Sequence, residues 1–336
     1  MVDVQLIGVP YNSAGQLGGE AAGPLALRDA GLVAWLQAGV PVHDAGDVAF
    51  AAPNPTRSPR SGLIAEGALA SMVGAVHGAV GAAYAAARFP LLIGGECPLV
   101  LGALAAARDA YGEVGLLFVD GHEDAWPPHR SLTGEAADSG LACALGRDSA
   151  GLPAALAALL PLVRPDTVAL LGPRDADELA QAGCPSLAGL APLYRPEVIA
   201  GRGAAAVAAE AMRTLGQAVG HWWYHVDLDV LATDALAAIR YPQPGGLGWA
   251  DLDAITVAAL SSPACVGWDV VIYNPDLDVN AQGARRIVAY IGALAAPLAT
   301  RGAIAGSASS PSANVLTVAR RSVQAWQPSK VALTDY

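Results

Sequence analysis

Lysine is almost absent from this sequence. Lys330 is the only one in 336 residues, so every other basic side chain is arginine. Positive charge is scarce altogether, with 19 Lys and Arg against 30 Asp and Glu and a formal charge of −11. That balance argues against a nucleic acid or an anionic membrane as partner, because phosphate recognition needs a basic face. Cysteine is sparse as well. Cys97, Cys143, Cys184 and Cys265 lie far apart and form no CxxC pair, which excludes a zinc knuckle and a dense disulfide framework. Charged residues make up only 15% against 54% apolar. This excludes a mainly disordered chain and supplies enough apolar surface for a large core. No GxGxxG or GxxxxGK[ST] follows an apolar run, so a phosphate-cradling nucleotide site is not expected. The opening MVDVQLIGVPYN has neither a basic n-region nor a cleavage site; a cytoplasmic protein with free thiols is the expectation.

One run could mislead. Gly67 to Ala87 carries no charge and is long enough to span a bilayer. It is built from Gly and Ala with His77 in the middle, so a helix buried within a soluble α/β chain is the better reading, and no membrane partner is expected.

What is present is alternation. Apolar runs with the look of buried parallel strands fall at Val4–Val9, Pro90–Ile93, Val114–Val119, Val168–Leu171, Trp222–Leu228 and Val266–Tyr273. Between them lie helix candidates at Pro24–Gln37, Leu63–Arg88, Pro98–Tyr111, Leu152–Leu162, Pro196–Val219, Trp249–Leu260 and Ala281–Ala299. The prolines of Ala51–Ser61 and Trp126–Ser139 mark irregular stretches. Alternation without a composition break predicts a single α/β domain with a mostly parallel central sheet and helices on both faces. Its expected extent is 1–302, with a polar tail at 303–336 that packs on the domain or moves.

Ligands of such sheets bind beyond the carboxyl ends of the strands, and acids collect there. Asp120, His122 and Asp124 follow one apolar run at i, i+2, i+4; His225, Asp227 and Asp229 end another with the same spacing. Alternate side chains of an extended segment share one side, so each triplet presents a row of donors. Four carboxylates converging on one place repel unless a cation lies among them. Carboxylates with imidazole suit a hard or borderline divalent ion such as Mn²⁺.

The sequence resembles the ureohydrolase family of arginases and agmatinases over about residues 4–300. The family's DAHxD motif reads Asp120-Gly121-His122-Glu123-Asp124, and its SxDxD motif reads His225-Val226-Asp227-Leu228-Asp229. Supporting matches are Gly8-Val9-Pro10-Tyr11, Gly15-Gln16, Gly23-Pro24, Gly245-Gly246-Leu247 and Gly267-Trp268-Asp269 with Asn274-Pro275. The resemblance implies a three-layer α-β-α arginase-like fold and two divalent ions. Asp120 and Asp227 would bridge them, Asp124 would bind the first, and His122 and Asp229 the second. It further implies hydrolysis of a C–N bond in a small cationic guanidino or hydroxyguanidino compound, such as arginine, N-hydroxyarginine or agmatine. A metal-bridging hydroxide would be the nucleophile, with Asp124 accepting its proton. Family members often form trimers or hexamers, so a homo-oligomer is expected.

Four departures qualify this. The GGDH motif reads Gly94-Gly95-Glu96-Cys97, so the first metal's histidine is replaced by Cys97. A thiolate ligand there would admit Fe, Co, Ni or Zn beside Mn; as a bare buried thiol it would leave that ion weakly held. A hydroxyarginine-hydrolysing branch of the family also looks like this. The SGNLHG-like stretch reads Thr133-Gly134-Glu135-Ala136-Ala137-Asp138-Ser139-Gly140. Asp138 lies nearest the missing proton-shuttling histidine; it would shuttle only if its pKa were raised, and otherwise could bind a cationic substrate. Glu135 is an equal candidate for that contact, and His129 a weaker one for the shuttle. Asp251 stands for the glutamate that grips guanidinium, and Asp177 for the contact to a substrate amino group. Trp126 falls where an asparagine would meet the substrate carboxylate. These losses leave a competing expectation, a catalytically impaired family member that binds a ligand or regulates.

Overall fold

The apolar runs are strands because they are buried on both faces, where β-branched and aromatic side chains pack without an exposed polar alternate. The computed structural model describes residues 2–293 and 295–301. Eight strands form one sheet: β1 (Val4–Gly8), β2 (Val42–Asp47), β3 (Phe89–Ile93), β4 (Gly115–Val119), β5 (Val168–Leu171), β6 (Leu193–Tyr194), β7 (Trp222–Asp227) and β8 (Cys265–Val271). Their spatial order is β2-β1-β3-β8-β7-β4-β5-β6, and every pairing is parallel. The expected parallel α/β architecture is therefore present.

The order has a consequence for chemistry. After β3 the chain leaves a gap and lays down β4, β5 and β6; it then returns to fill the gap with β7 and β8. The contiguous central strands β3, β8, β7 and β4 thus bring three distant sequence segments side by side at their carboxyl ends. Such a reversal of strand order is where parallel sheets open a crevice.

Two strands escaped the sequence pattern. β2 is a half-exposed edge strand of mixed composition, VHDAGD, and β6 has only two residues; neither has an apolar run to announce it. Two expected helices are broken. Gly31 (φ 95°) separates Gly23–Asp29 from Leu32–Gln37, and Gly203 (φ 85°) separates Pro196–Arg202 from Ala204–Ala218. Both glycines adopt left-handed conformations that end a helix. Leu152–Leu162 is helical only at Ala154–Ala157.

The uncharged run forms the helix Glu66–Ala85, long and apolar enough by length and composition to cross a membrane. Leu69, Met72, Val73, Val76 and Val80 are buried against the helix Leu99–Tyr111. Its Gly74 and Gly78 face open space; the close approach uses Gly102 of the partner helix, where a Cβ would lie 2.5 Å from the Val73 carbonyl oxygen. The expected tail at 303–336 lies outside the described residues.

Candidate metal centre

Cys97 reaches the crevice on a turn that only glycine permits. Gly94 (φ 83°) and Gly95 (φ 68°) are left-handed, and a Cβ on Gly95 would stand 2.6 Å from the Val9 carbonyl oxygen. Glu96 turns inward and accepts the Ser13 N–H at 2.6 Å. Burial, then the charge of Glu20, pushes its pKa up to about 8. Cys97 points the other way, with its thiol 2.9 Å from Asp227 Oδ2 and 3.8 Å from Asp120 Oδ2.

The two triplets converge as the spacing predicts. His122 Nδ1 lies 2.8 Å from Asp229 Oδ2 and 3.8 Å from Asp120 Oδ1. Backbone amides fix the carboxylates: Asp120 Oδ1 accepts from His122 N, Asp227 Oδ1 from Asp229 N, and Asp229 Oδ1 from Gly121 N, at 2.7–2.9 Å. Arg174 Nη2 donates to the Asp229 carbonyl at 2.7 Å and ties the two loops together. The second position of the motif is glycine for a local reason. A Cβ on Gly121 would sit 2.7 Å from both Asp229 Oδ1 and Arg174 Nη1. Gly121→Ala is expected to push Asp229 out of place, weaken metal uptake on the His122 side by about tenfold or more, and cost about 1–3 kcal/mol of stability. Metal titration with thermal denaturation checks it.

Burial pushes the Asp120, Asp124 and Asp227 carboxyls well above the usual range, and neighbouring carboxylates push them further. Asp229 goes the other way: burial opposes its charge, but the His122 imidazole beside it wins. His122 answers in kind. Burial disfavours its charged form, yet Asp229 holds its pKa up at about 10. The Cys97 thiol is raised by burial and then by Asp124, Asp227 and Asp120. Buried side chains gathered this way, with Asp124 Oδ2 left without a hydrogen-bond partner, suit divalent cations, whose charge would favour the deprotonated forms. Two donor groups each have ligand atoms within 4.8 Å of one another: Cys97, Asp120 and His225, and Asp120, His122 and Asp229. Asp120 belongs to both, with one oxygen nearer each. The residues therefore fit a pair of ions sharing a carboxylate.

Above them opens a cavity of about 370 Å³. Of the residues expected at the site, it brings together Cys97, His122, Asp124, Trp126, Glu135, Asp138, Asp227 and Asp229, with Asp120 buried beside them. Asp138 accepts hydrogen bonds from the hydroxyls of Ser131, Thr133 and Ser139. Burial raises its pKa despite those three donors, which is the direction a proton shuttle requires. Glu135 is held by Arg240 (3.2 Å) and Tyr241 (3.3 Å).

Three expected residues are placed elsewhere. Asp251 sits in the first turn of the helix Trp249–Ser261 and accepts from Gly248 N at 3.3 Å; it does not line the cavity. Asp177 is exposed on the helix Ala176–Gln181. His129 is exposed near Asp148. The wall instead holds Asp175 and Glu178, neighbours of Asp177, together with Arg240, Tyr241 and Ile272. Burial lifts the Asp175 pKa to about 6. Ile272 has φ 73°, a conformation that strains a β-branched residue and tends to occur at functional sites. The GPRDAD stretch pointed to the right loop, but only the helix that starts within it decides which acid turns inward. Nothing in the sequence marks Ile272. Asp251→Ala and Asp177→Asn are each expected to change KM less than about twofold, whereas Asp175→Asn raises it about tenfold, the value of one charge-assisted contact. Steady-state kinetics on the best substrate separates the three.

The arginase family profile matches residues 2–296. The arginase of Staphylococcus aureus (strain MRSA252) is 28% identical over 178 residues, 52% of this chain and 58% of its own length, so the chain spans little more than half of that relative. The arginase of Bacillus caldovelox is 26% identical over 296 residues, 88% of this chain and 98% of its own length. Its solved structure superposes with a TM-score of 0.76 at 24% identity, covering 90% of this chain and 99% of that one. Proclavaminate amidino hydrolase from Streptomyces clavuligerus shares the fold at a TM-score of 0.63 and 18% identity, over 89% of this chain and 92% of its own. With donors from three separate segments meeting at the crevice of the sheet, and a family match that runs through all three, the chain belongs to the arginase family.

Proposed function

We propose that this protein hydrolyses a C–N bond in a small cationic guanidino, hydroxyguanidino or related amidine compound, using two divalent ions. The observation that carries the reading is Asp120, whose two oxygens each lean toward a different donor group. Two ions held there would lower the pKa of water and supply a nucleophile at neutral pH.

The chain's own residues do the rest. Asp120, Asp124, Asp227, Asp229, His122 and Cys97 would hold the ions, and Asp124 would also accept a proton from the attacking water and return it to the leaving amine. Seven carboxylates line the cavity against Arg240 and His122. Even with some neutralised by metal, the mouth attracts a cation and raises its local concentration. Asp175, Glu178 and Asp138, which line the cavity, would receive its nitrogen donors, and Trp126 would cover it. A substrate carboxylate would find Arg240, the guanidinium on the wall. Cys97 suits cobalt, zinc, iron or nickel better than it suits manganese.

The test is a matrix of arginine, N-hydroxyarginine, agmatine, guanidinobutyrate and formiminoglutamate against Mn, Fe, Co, Ni and Zn. Ornithine, putrescine, urea or formamide release is read for each pair. Turnover is expected with at least one amidine and a thiophilic ion. Silence across the whole matrix from a protein that holds two ions overturns the proposal.

A further inference from the structure

His225 is the one imidazole in the fold that is fully buried and that the family pattern leaves without a task. Sheet register places it. On β7 it lies directly beside Phe118 of β4 and Asp269 of β8. Its ring stacks on Phe118, with centroids 4.5 Å apart and planes within 11°. Nδ1 is 2.6 Å from Asp269 Oδ1, although without the linear alignment of a hydrogen bond. The other Asp269 oxygen accepts the Trp223 indole N–H at 2.5 Å. The ring is thus clamped from one side by aromatic packing and from another by a fixed carboxylate.

Its remaining nitrogen, Nε2, is buried with no hydrogen-bond partner. A buried polar atom left unpaired carries its desolvation penalty uncompensated, so its surroundings matter. It faces Asp120 Oδ2 at 3.9 Å, and it completes with Asp120 and Cys97 a set of donors all within 4.8 Å of one another. The Cys97 sulfur is itself 3.8 Å from the same Asp120 oxygen. Donors around a tetrahedral ion with nitrogen, oxygen and sulfur ligands stand roughly 3.5 Å apart, close to these separations. A carboxylate on the far nitrogen is the recurring support of a metal-bound histidine, fixing tautomer and direction.

We propose that His225, supported by Asp269, is a ligand of the first ion together with Cys97, Asp120 and Asp227. The imidazole missing at position 97 is supplied from β7 instead, in the place where the family motif has serine. The resulting set of thiolate, imidazole and carboxylates prefers cobalt, zinc or iron to manganese. The proposal deepens the metal-dependent reading above and rests on that reading's first ion; its test therefore uses metal binding and spectra, not turnover.

Metal-free protein is titrated with Co²⁺, reading bound metal per chain, thiolate-to-cobalt charge-transfer absorption and the X-ray absorption fine structure. Wild type is expected to bind two ions, show the thiolate band and carry two imidazoles per pair of ions, His122 and His225. His225→Asn is expected to weaken the first ion by at least 100-fold and remove the band, leaving the second ion in place. Asp269→Asn, which keeps the shape of the support, weakens the first ion about 10–100-fold. Cys97→His combined with His225→Asn is expected to restore binding of the first ion without the band. One imidazole per pair of ions in wild type overturns the proposal even if no variant folds; so does unchanged cobalt affinity in a folded His225→Asn. Two ions with two imidazoles but no turnover would instead overturn the proposed hydrolysis alone.

Discussion

Asp227→Asn is expected to abolish metal uptake and turnover while making the metal-free protein more stable. Asp227 ends β7 almost fully buried, with Oδ2 against the Cys97 thiol and Oδ1 accepting the Asp229 N–H. Asparagine keeps the second contact and the shape. It removes a carboxyl whose charge is opposed first by burial and then by Asp229. In the metal-free chain that removal relieves repulsion, so stability at pH 8 should rise by about 1–3 kcal/mol. With metal the sign reverses. A central anionic ligand is gone, affinity should fall at least ~100-fold, and kcat/KM at least ~1000-fold, about 4 kcal/mol of transition-state stabilisation. Chemical denaturation with a chelator present, beside metal analysis and kinetics, measures all three. A variant that is both less stable without metal and still active would show that Asp227 is a structural acid.

The same crowding predicts that stability will slope oppositely with pH in the two states of the protein. Without metal, Asp175, Glu96 and His122 are among the groups that bind protons more tightly folded than unfolded. Burial raises Asp175 to about 6 and Glu96 to about 8, and Asp229 holds His122 up at about 10 against the opposing effect of burial. Each raised pKa gives stability that is present below the group's unfolded value and is lost as pH climbs through the folded one. The windows are about pH 4–6 for Asp175, 4.5–8 for Glu96 and 6.5–10 for His122, so at every pH between 5 and 8 at least one of them pulls stability down. Asp175 alone is worth about 2–3 kcal/mol, at ~1.4 kcal/mol per unit. Asp229, with its lowered pKa, acts in the opposite sense but only in the acid range. With metal in excess the ligands must shed protons to bind, so metal-derived stability grows with pH. Urea titrations at pH 5, 6, 7 and 8 with chelator and with saturating cobalt should give slopes of opposite sign. Parallel slopes would mean that the acids do not hold metal.

The central strands and both donor triplets were legible because they obey short-range rules. Val114–Val119 and Trp222–Leu228 announce buried strands by apolar continuity, and i, i+2, i+4 spacing survives folding because an extended segment preserves it. β2 is an exposed edge strand without an apolar run, and within Pro24–Gln37 and Pro196–Val219 one positive-φ glycine outweighs many helix formers. Motif position does not decide the cavity wall: Asp177 stands on the outer face of its helix, and Asp251 caps the start of its own.

The sequence by itself determined that this is an acidic α/β chain with two rows of metal donors at strand ends, because composition and strand spacing are local properties. Which residues share the site depended on strand order and register, and these form only when distant segments pair. The return of β7 and β8 into the gap between β3 and β4 sets Cys97, Asp120 and Asp227 together. Register puts His225 between Phe118 and Asp269, and its unpaired Nε2 faces Asp120. A histidine and a cysteine that stand 128 residues apart become candidates for one ion only when the sheet is assembled.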